Sequence, residues 1–334
     1  ALPSGLAERD QVTVSGVSSG GYMAMQMQVA HAAGIAGAGV IAAGPYHCAG
    51  SNFPFNLLRA TNICAQITAL VPFMGPPELW QSVKRTEAQA LRGRIDDPTH
   101  LRADRVYLFS GRLDKQVPAT VTDVLQKYYE TFVTPANIAY VTNVQAAHAM
   151  VSADFGNACD TSKSPYINDC DYDAAGALLN QLYGPLAPPQ DQRADGADNG
   201  GGTLVAFDQT AFDPEAERHG LGAEGYVFIP TRCQTGNGCR LHVAFHGCRQ
   251  HTGVIGKTFV DNAGYNAWAA ANDIIVLYPQ ATPLRLRVLG IALPWPNPQG
   301  CWDWWGFTGR DFDVKSGPQI AAVWAMIERL TGRR

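Results

Sequence analysis

The sequence predicts an α/β fold built on one mostly parallel sheet with helices on both faces. Three observations carry this. Short apolar runs alternate with helix-patterned runs along most of the 334 residues, which is the signature of strands joined by crossover helices. The chain is 46% hydrophobic and only 16% charged, so it has the apolar mass for a large core that such a sheet requires. The serine turn near the N-terminus and the late His246-Gly247-Cys248 loop are best explained by one interleaved sheet holding all eight strands.

In chain order, strands are predicted at 11–15, 36–43, 105–110 and 137–142, then at 203–208, 225–230, 240–246 and 273–279. Helical patterns fall at 20–32, 77–90, 118–130, 172–183, 259–271 and 317–331. The stretch 185–202 is rich in Pro, Gly, Asp and Gln and reads as an exposed connection. No repeat period is evident. The longest apolar stretch, Ala32 to Gly44, is too short to span a bilayer, which needs ~20 apolar residues. The net charge of −4 without a basic run argues against nucleic acid or an anionic membrane as partner. No signal peptide is read at Ala1, and the expectation is a mature chain.

The eight cysteines are 48, 64, 159, 170, 233, 239, 248 and 301. None shows C-x-x-C spacing, which argues against zinc or dithiol redox chemistry. An even number bracketing short polar loops points to disulfides and a secreted protein. Sequence alone does not determine the pairing; proximity along the chain suggests 48–64, 159–170, 233–239 and 248–301.

Gly16-Val17-Ser18-Ser19-Gly20 is a G-x-S-x-G pattern between a strand-like run and a helix-forming run. The pattern is short, and its setting gives it weight. A serine at a strained strand-to-helix turn needs neighbours without side chains, so that the turn packs and Oγ projects into a cleft. Ser18 is therefore the candidate nucleophile, and the backbone N–H of Ser19, at a helix N-terminus, is a candidate oxyanion donor. A serine nucleophile requires a base and a group that orients it. Asp114 follows the strand 105–110, and His148 follows the next strand. The order Ser18, Asp114, His148 is that of the α/β-hydrolases. Asp154, Asp96 and Asp97 are the rival acids.

A second oxyanion donor normally follows a strand that precedes the elbow, yet only about ten residues lie upstream here. The segment His246-Gly247-Cys248, after strand 240–246, supplies it late in the chain. The first half of a hydrolase sheet thus stands after the second half. The chain reads as circularly permuted and as a single catalytic domain over 1–334, with 185–202 as the permutation linker. The backbone N–H of Cys248 is the second candidate donor, and His246 is expected to hold the loop through its ring. The segment from Leu284 to Trp295, with Leu286, Val288, Leu289, Ile291 and Leu293, is dense in apolar residues for a connection. It leads into Cys301-Trp302-Asp303-Trp304-Trp305, and Trp302 is chosen as the wall of the substrate pocket.

These motifs together, with Leu277-Tyr278-Pro279-Gln280-Ala281 and Ser164-Pro165-Tyr166-Ile167-Asn168-Asp169-Cys170, resemble the single-domain extracellular poly(3-hydroxybutyrate) depolymerases, of the kind known from a Penicillium fungus. The matches run in the same order from about residue 12 to about residue 325. The resemblance implies a circularly permuted α/β-hydrolase with Ser18, Asp114 and His148 as nucleophile, acid and base. It also implies Ser19 and Cys248 as oxyanion donors and Trp302 in the substrate crevice. The chain departs from the fungal pattern at 65–100 and 282–299, which bears on chain-length preference and polymer adsorption.

The expected function is a secreted serine esterase acting on poly(3-hydroxybutyrate) or its oligomers. It needs no metal or organic cofactor, and a monomer is expected. A feruloyl or acetyl-xylan esterase, or a lipase, would share the triad; the Trp-rich segment favours an aliphatic polyester. A non-catalytic binding protein on this fold would lack a triad member, and none is missing. The acidic stretch 154–173 is read as a solvated loop in preference to a calcium site.

Overall fold

The computed structural model describes residues 1–52, 54–66, 74–189, 201–236, 238–288 and 291–332, with only the backbone course of 285–288 and 291–295. The first half of the chain runs β1 (Ala7–Val17), α1 (Ser19–Ala30), β2 (Gly37–Ile41), α2 (Phe55–Asn62), α3 (Leu79–Leu91), β3 (Arg105–Phe109), α4 (Ala119–Phe132) and β4 (Ile138–Val141). Three short strands follow, β5 (Met150–Ser152), β6 (Asn157–Ala158) and β7 (Ile167–Asp169), and then α5 (Ala174–Tyr183). The second half runs β8 (Gly202–Asp208), β9 (Glu224–Pro230), β10 (Cys239–Phe245), α6 (Thr252–Ile255), α7 (Thr258–Asn262), α8 (Tyr265–Ala271), β11 (Ile274–Tyr278), β12 (Leu284–Val288), β13 (Ile291–Asn297) and α9 (Pro318–Leu330).

One eight-stranded sheet takes the order β4-β3-β2-β1-β10-β11-β9-β8. The run from β4 to β11 is parallel, and β9 and β8 close one edge antiparallel. The two halves of the chain meet in the middle, where Val12–Gly16 of β1 lie beside Leu241–Phe245 of β10. This is the permuted hydrolase arrangement: the strand that leads into Ser18 pairs with the strand that leads into the Cys248 loop, although over 200 residues separate them in sequence. Of the connection predicted at 185–202, residues 190–200 lie outside the described residues.

Burial explains the strand compositions. β2 (GAGVI) and β11 (IIVLY) are wholly buried and need no polar face, whereas edge strand β8 alternates in exposure. Helix α1 is buried all round, so its polar side chains must find partners. Gln26 donates to the Asp303 carbonyl at 2.9 Å. Gln28 donates to Asp104 at 2.8 Å and accepts from the Tyr129 hydroxyl at 2.8 Å. On the other face of the sheet, Thr13 and Ser15 bond to Tyr183 of α5 and Tyr265 of α8.

The helix predicted at 259–271 and the segment from residue 284 differ from the sequence expectation, and helix α2 and strands β5–β7 are not anticipated by it. The predicted helix 259–271 is broken into α7 and α8 because Gly264 takes a φ of 92°, where the helix cannot continue. The predicted irregular segment from residue 284 is an antiparallel hairpin, β12–β13. The alternation Leu284-Arg285-Leu286-Arg287-Val288 is the strand signal for it. Leu289 and the side chains of Leu286, Val288, Ile291, Leu293 and Trp295 lie outside the described residues.

All eight cysteines are paired, as 48–64, 159–170, 233–239 and 248–301. Chain proximity suggested the same pairs. No helix among the described residues is long and apolar enough to cross a membrane.

Candidate active site

Strand β1 ends at Val17, and Ser18 stands alone between it and α1 with φ 56° and ψ −121°. This is a strained conformation for a residue with a side chain. It is held by hydrogen bonds at both ends: Ser18 N–H donates to the Ile41 carbonyl at 2.9 Å, and Tyr22 N–H donates to the Ser18 carbonyl at 3.0 Å. The flanking glycines are steric requirements. A Cβ on Gly16 would fall 2.3 Å from the Gly20 backbone, and one on Gly20 would fall 2.2 Å from the Phe245 carbonyl oxygen.

Asp114 lies in the turn after β3, and His148 lies in the loop after β4. Their side chains meet at the sheet's C-terminal edge. His148 Nδ1 is 2.7 Å from Asp114 Oδ2, and His148 Nε2 is 2.9 Å from Ser18 Oγ. Asp114 Oδ1 accepts the backbone N–H groups of Gln116 and Val117, each at 2.8 Å. A carboxylate so held accepts from Nδ1–H, which leaves Nε2 with its lone pair toward the serine hydroxyl. The rival acids sit elsewhere. Asp96 pairs with Lys315, Asp97 caps the turn at Thr99, and Asp154 bonds to Ser152.

Ser19 N–H opens α1, and Cys248 N–H lies in the loop after β10. Neither donates to a protein acceptor among the described residues. The Cys248 loop approaches the elbow closely: a Cβ on Gly247 would lie 3.5 Å from Ser18 Cβ. Three braces hold it. The Cys248–Cys301 disulfide ties it to the last loop. Gln250 accepts from Gly247 N–H at 2.7 Å and donates to the carbonyls of Pro165 and Tyr166 at 3.1 and 2.9 Å. His246 Nε2 accepts from Ala281 N–H at 3.0 Å, so its Nδ1–H donates to the Gly247 carbonyl at 2.7 Å. Burial pushes the His246 imidazole down to about 3. The ring is therefore a neutral strut and not an acid or base at neutral pH.

A pocket of about 330 Å³ opens over Ser18 and His148, lined further by Tyr22, Tyr166, Cys248 and Trp304. The choice of Trp302 as its wall needs correction. Trp302 is fully buried and is not among the lining residues. It packs edge-on against Phe245 and beside His246, beneath the Cys248 loop. Trp304 lines the pocket instead, its ring stacked on Tyr22 at 4.2 Å and its indole N–H without a partner among the described residues. Its turn is capped by the buried carboxyl of Asp303, which accepts four backbone N–H groups, from Trp305 to Thr308, and the Thr308 hydroxyl. Burial pushes that carboxyl up to about 6 against these bonds. Apolar density located the segment but not the ring. What separates Trp304 from Trp302 is its place on the pocket wall, and that is visible only in three dimensions.

The sheet order and the serine elbow place the molecule among the serine hydrolases of α/β-hydrolase fold. No protein-family model matches the chain. It is 34% identical over 337 residues to the polyhydroxybutyrate depolymerase of Talaromyces funiculosus, covering 99% of this chain and 92% of that protein. The chain belongs to the poly(3-hydroxybutyrate) depolymerase family. It is 40% identical over 333 residues to the poly(3-hydroxybutyrate) depolymerase of Delftia acidovorans, covering 99% of this chain but spanning only 61% of that relative's length. The crystal structure of the PHB depolymerase from Penicillium funiculosum superposes with a TM-score of 0.85 at 33% identity over the whole of both chains. A serine-to-alanine variant of a PHB depolymerase, complexed with an R3HB trimer, superposes with a TM-score of 0.86 at 33% identity, again over both whole chains.

Proposed function

We propose that the chain is a secreted serine esterase that hydrolyses poly(3-hydroxybutyrate) and its oligomers through an acyl-enzyme on Ser18. The observation that carries this reading is the hydrogen-bonded series Ser18–His148–Asp114 opening into the pocket. Ser18 Oγ attacks the ester carbonyl as His148 Nε2 takes its proton. Asp114 holds the imidazole and stabilises its cation. The oxyanion falls to the N–H groups of Ser19 and Cys248, each contributing about 3 kcal/mol to lowering the barrier. His148 then gives its proton to the leaving hydroxyl, and water, activated by the same ring, releases the hydroxy acid.

Trp304 supplies an apolar wall for the methyl and methylene of a repeat. The four disulfides suit an oxidising, extracellular setting. The pairing of β1 with β10 supports residues 1–334 acting as one catalytic unit joined through 185–202. The test is product analysis on amorphous poly(3-hydroxybutyrate) beside p-nitrophenyl butyrate, triolein and methyl ferulate. The polyester should be converted to hydroxybutyrate products in preference to triolein and methyl ferulate. Ser18→Ala should abolish this with little change in melting temperature. A preference for triolein or ferulate would contradict the substrate class, and retained activity in the variant would move the nucleophile elsewhere.

A further inference from the structure

Among the described residues Arg249 is the only side chain of fixed charge lining the pocket, and the catalytic steps give it no work. It follows Cys248 directly, so it leaves the loop beside one of the two oxyanion donors. Its backbone is held in place: φ is 63°, and its N–H donates to the Gln299 carbonyl at 2.8 Å. The preceding residue is anchored by the disulfide to Cys301. The guanidinium is exposed and reaches Tyr166 Oη at 3.3 Å, a neutral partner that also lines the pocket. Among the described residues no carboxylate pairs with it. A planar fork of donors at a cleft, not neutralised by the protein, suits a carboxylate supplied by a ligand.

The proposed substrate has such a group, in one place only. In a 3-hydroxyacid oligoester the acyl side of any ester bond ends in a hydroxyl. The leaving-alcohol side ends in the free carboxylate. We infer that Arg249 binds the terminal carboxylate of short oligoesters on the leaving-group side of Ser18, favouring soluble, acid-ended oligomers over interior bonds of a long chain; this rests on the esterase reading above. Each cleavage generates a new acid end, so the charge makes the enzyme more efficient on its own products as they shorten.

The test compares the (R)-3-hydroxybutyrate trimer as free acid and as methyl ester, in the native chain and in Arg249→Gln, with p-nitrophenyl butyrate as reference. The readout is the ratio of kcat/KM for acid over methyl ester, which general damage to the fold or the triad would leave unchanged. The native ratio should be roughly fivefold, the upper range for an exposed ion pair. It should shrink with added salt and fall to about one in Arg249→Gln, with Arg249→Lys intermediate. A native ratio near one, or a ratio unchanged in Arg249→Gln, would overturn the inference. If the native chain cleaves p-nitrophenyl butyrate but neither form of the trimer, the substrate reading itself falls and the role of Arg249 falls with it.

Discussion

Two segments both line the pocket, and they are held by different physics. The elbow, Gly16 to Gly21, is shaped by steric exclusion at its glycines, from neighbouring residues and from the end of β10. Its glycines sit where any Cβ would strike backbone, and one strained serine is pinned between two main-chain hydrogen bonds. The wall from Gln299 to Thr308 has no glycine pattern of this kind. It is held by side-chain braces, some near in sequence, such as the Asp303 cap over Trp305–Thr308, and some distant. Cys301 is bonded to Cys248. Asn297 accepts from Cys301 N–H at 3.0 Å and donates to its carbonyl at 2.8 Å. Gln319 accepts from Asp303 N–H at 2.8 Å. An element marked by a glycine pattern can be recognised in a string of six letters. One assembled by side-chain braces cannot, however distinctive its composition.

Breaking the elbow should have the largest effect on turnover. Gly20→Ala places a methyl 2.2 Å from the Phe245 carbonyl oxygen and 2.5 Å from that of His246, backbone atoms that must shift to admit it. We expect a loss of kcat/KM on p-nitrophenyl butyrate of about 100-fold or more, with a lowered melting temperature. Breaking the braced wall should be milder. Cys248→Ser with Cys301→Ser opens a 53-residue closure, costing about 2–4 kcal/mol of stability. It should lower kcat/KM about tenfold by loosening one oxyanion donor. Denaturant unfolding and steady-state kinetics on the same preparations would check both.

The two tryptophans sharpen the contrast within the wall. Trp304→Ala should reduce hydrolysis of the trimer roughly tenfold while leaving p-nitrophenyl acetate, which reaches only the triad and oxyanion site, much less affected. Trp302→Ala removes a fully buried ring and should cost about 3–5 kcal/mol of stability, with any activity loss shared equally by both esters. The opposite pattern would restore Trp302 as the wall.

The smallest effect on turnover belongs to the far end of α1, remote from the elbow. Burial pushes the Asp104 carboxyl up to about 7, against the hydrogen bond from Gln28. Its folded pKa lies above the unfolded value of ~3.9. Its contribution to stability is therefore complete below about pH 4 and is lost as pH rises through about 7. Asp104→Asn should flatten the melting temperature across that window without changing kcat/KM at pH 7. An unchanged pH profile would show that the carboxyl is ionised throughout.

The same division explains what was legible in the sequence. The strand positions, the elbow, the succession of Asp114 and His148 after consecutive strands, and the late position of Cys248 all follow from local patterns plus the rule that loops after parallel strands share one edge. From these the permutation could be argued. The break at Gly264 depends on how one glycine packs against Ala175 of a distant helix, at 3.1 Å from its would-be Cβ. The roles of Trp302 and Trp304 depend on which ring the Cys248 loop covers. Helix α2 and the β12–β13 hairpin also went unread, the hairpin because its apolar density was taken for a loop despite its period of two.

The central claim, that Ser18 carries a hydroxybutyryl group during turnover, is tested most directly by acid-quenching the chain during hydrolysis of the (R)-3-hydroxybutyrate trimer and mapping the adduct by peptide mass spectrometry. We expect a hydroxybutyryl ester on Ser18 that is absent from Ser18→Ala and lost after substrate is exhausted. An adduct on Ser19 or on any other residue, or turnover that persists in Ser18→Ala, would contradict it.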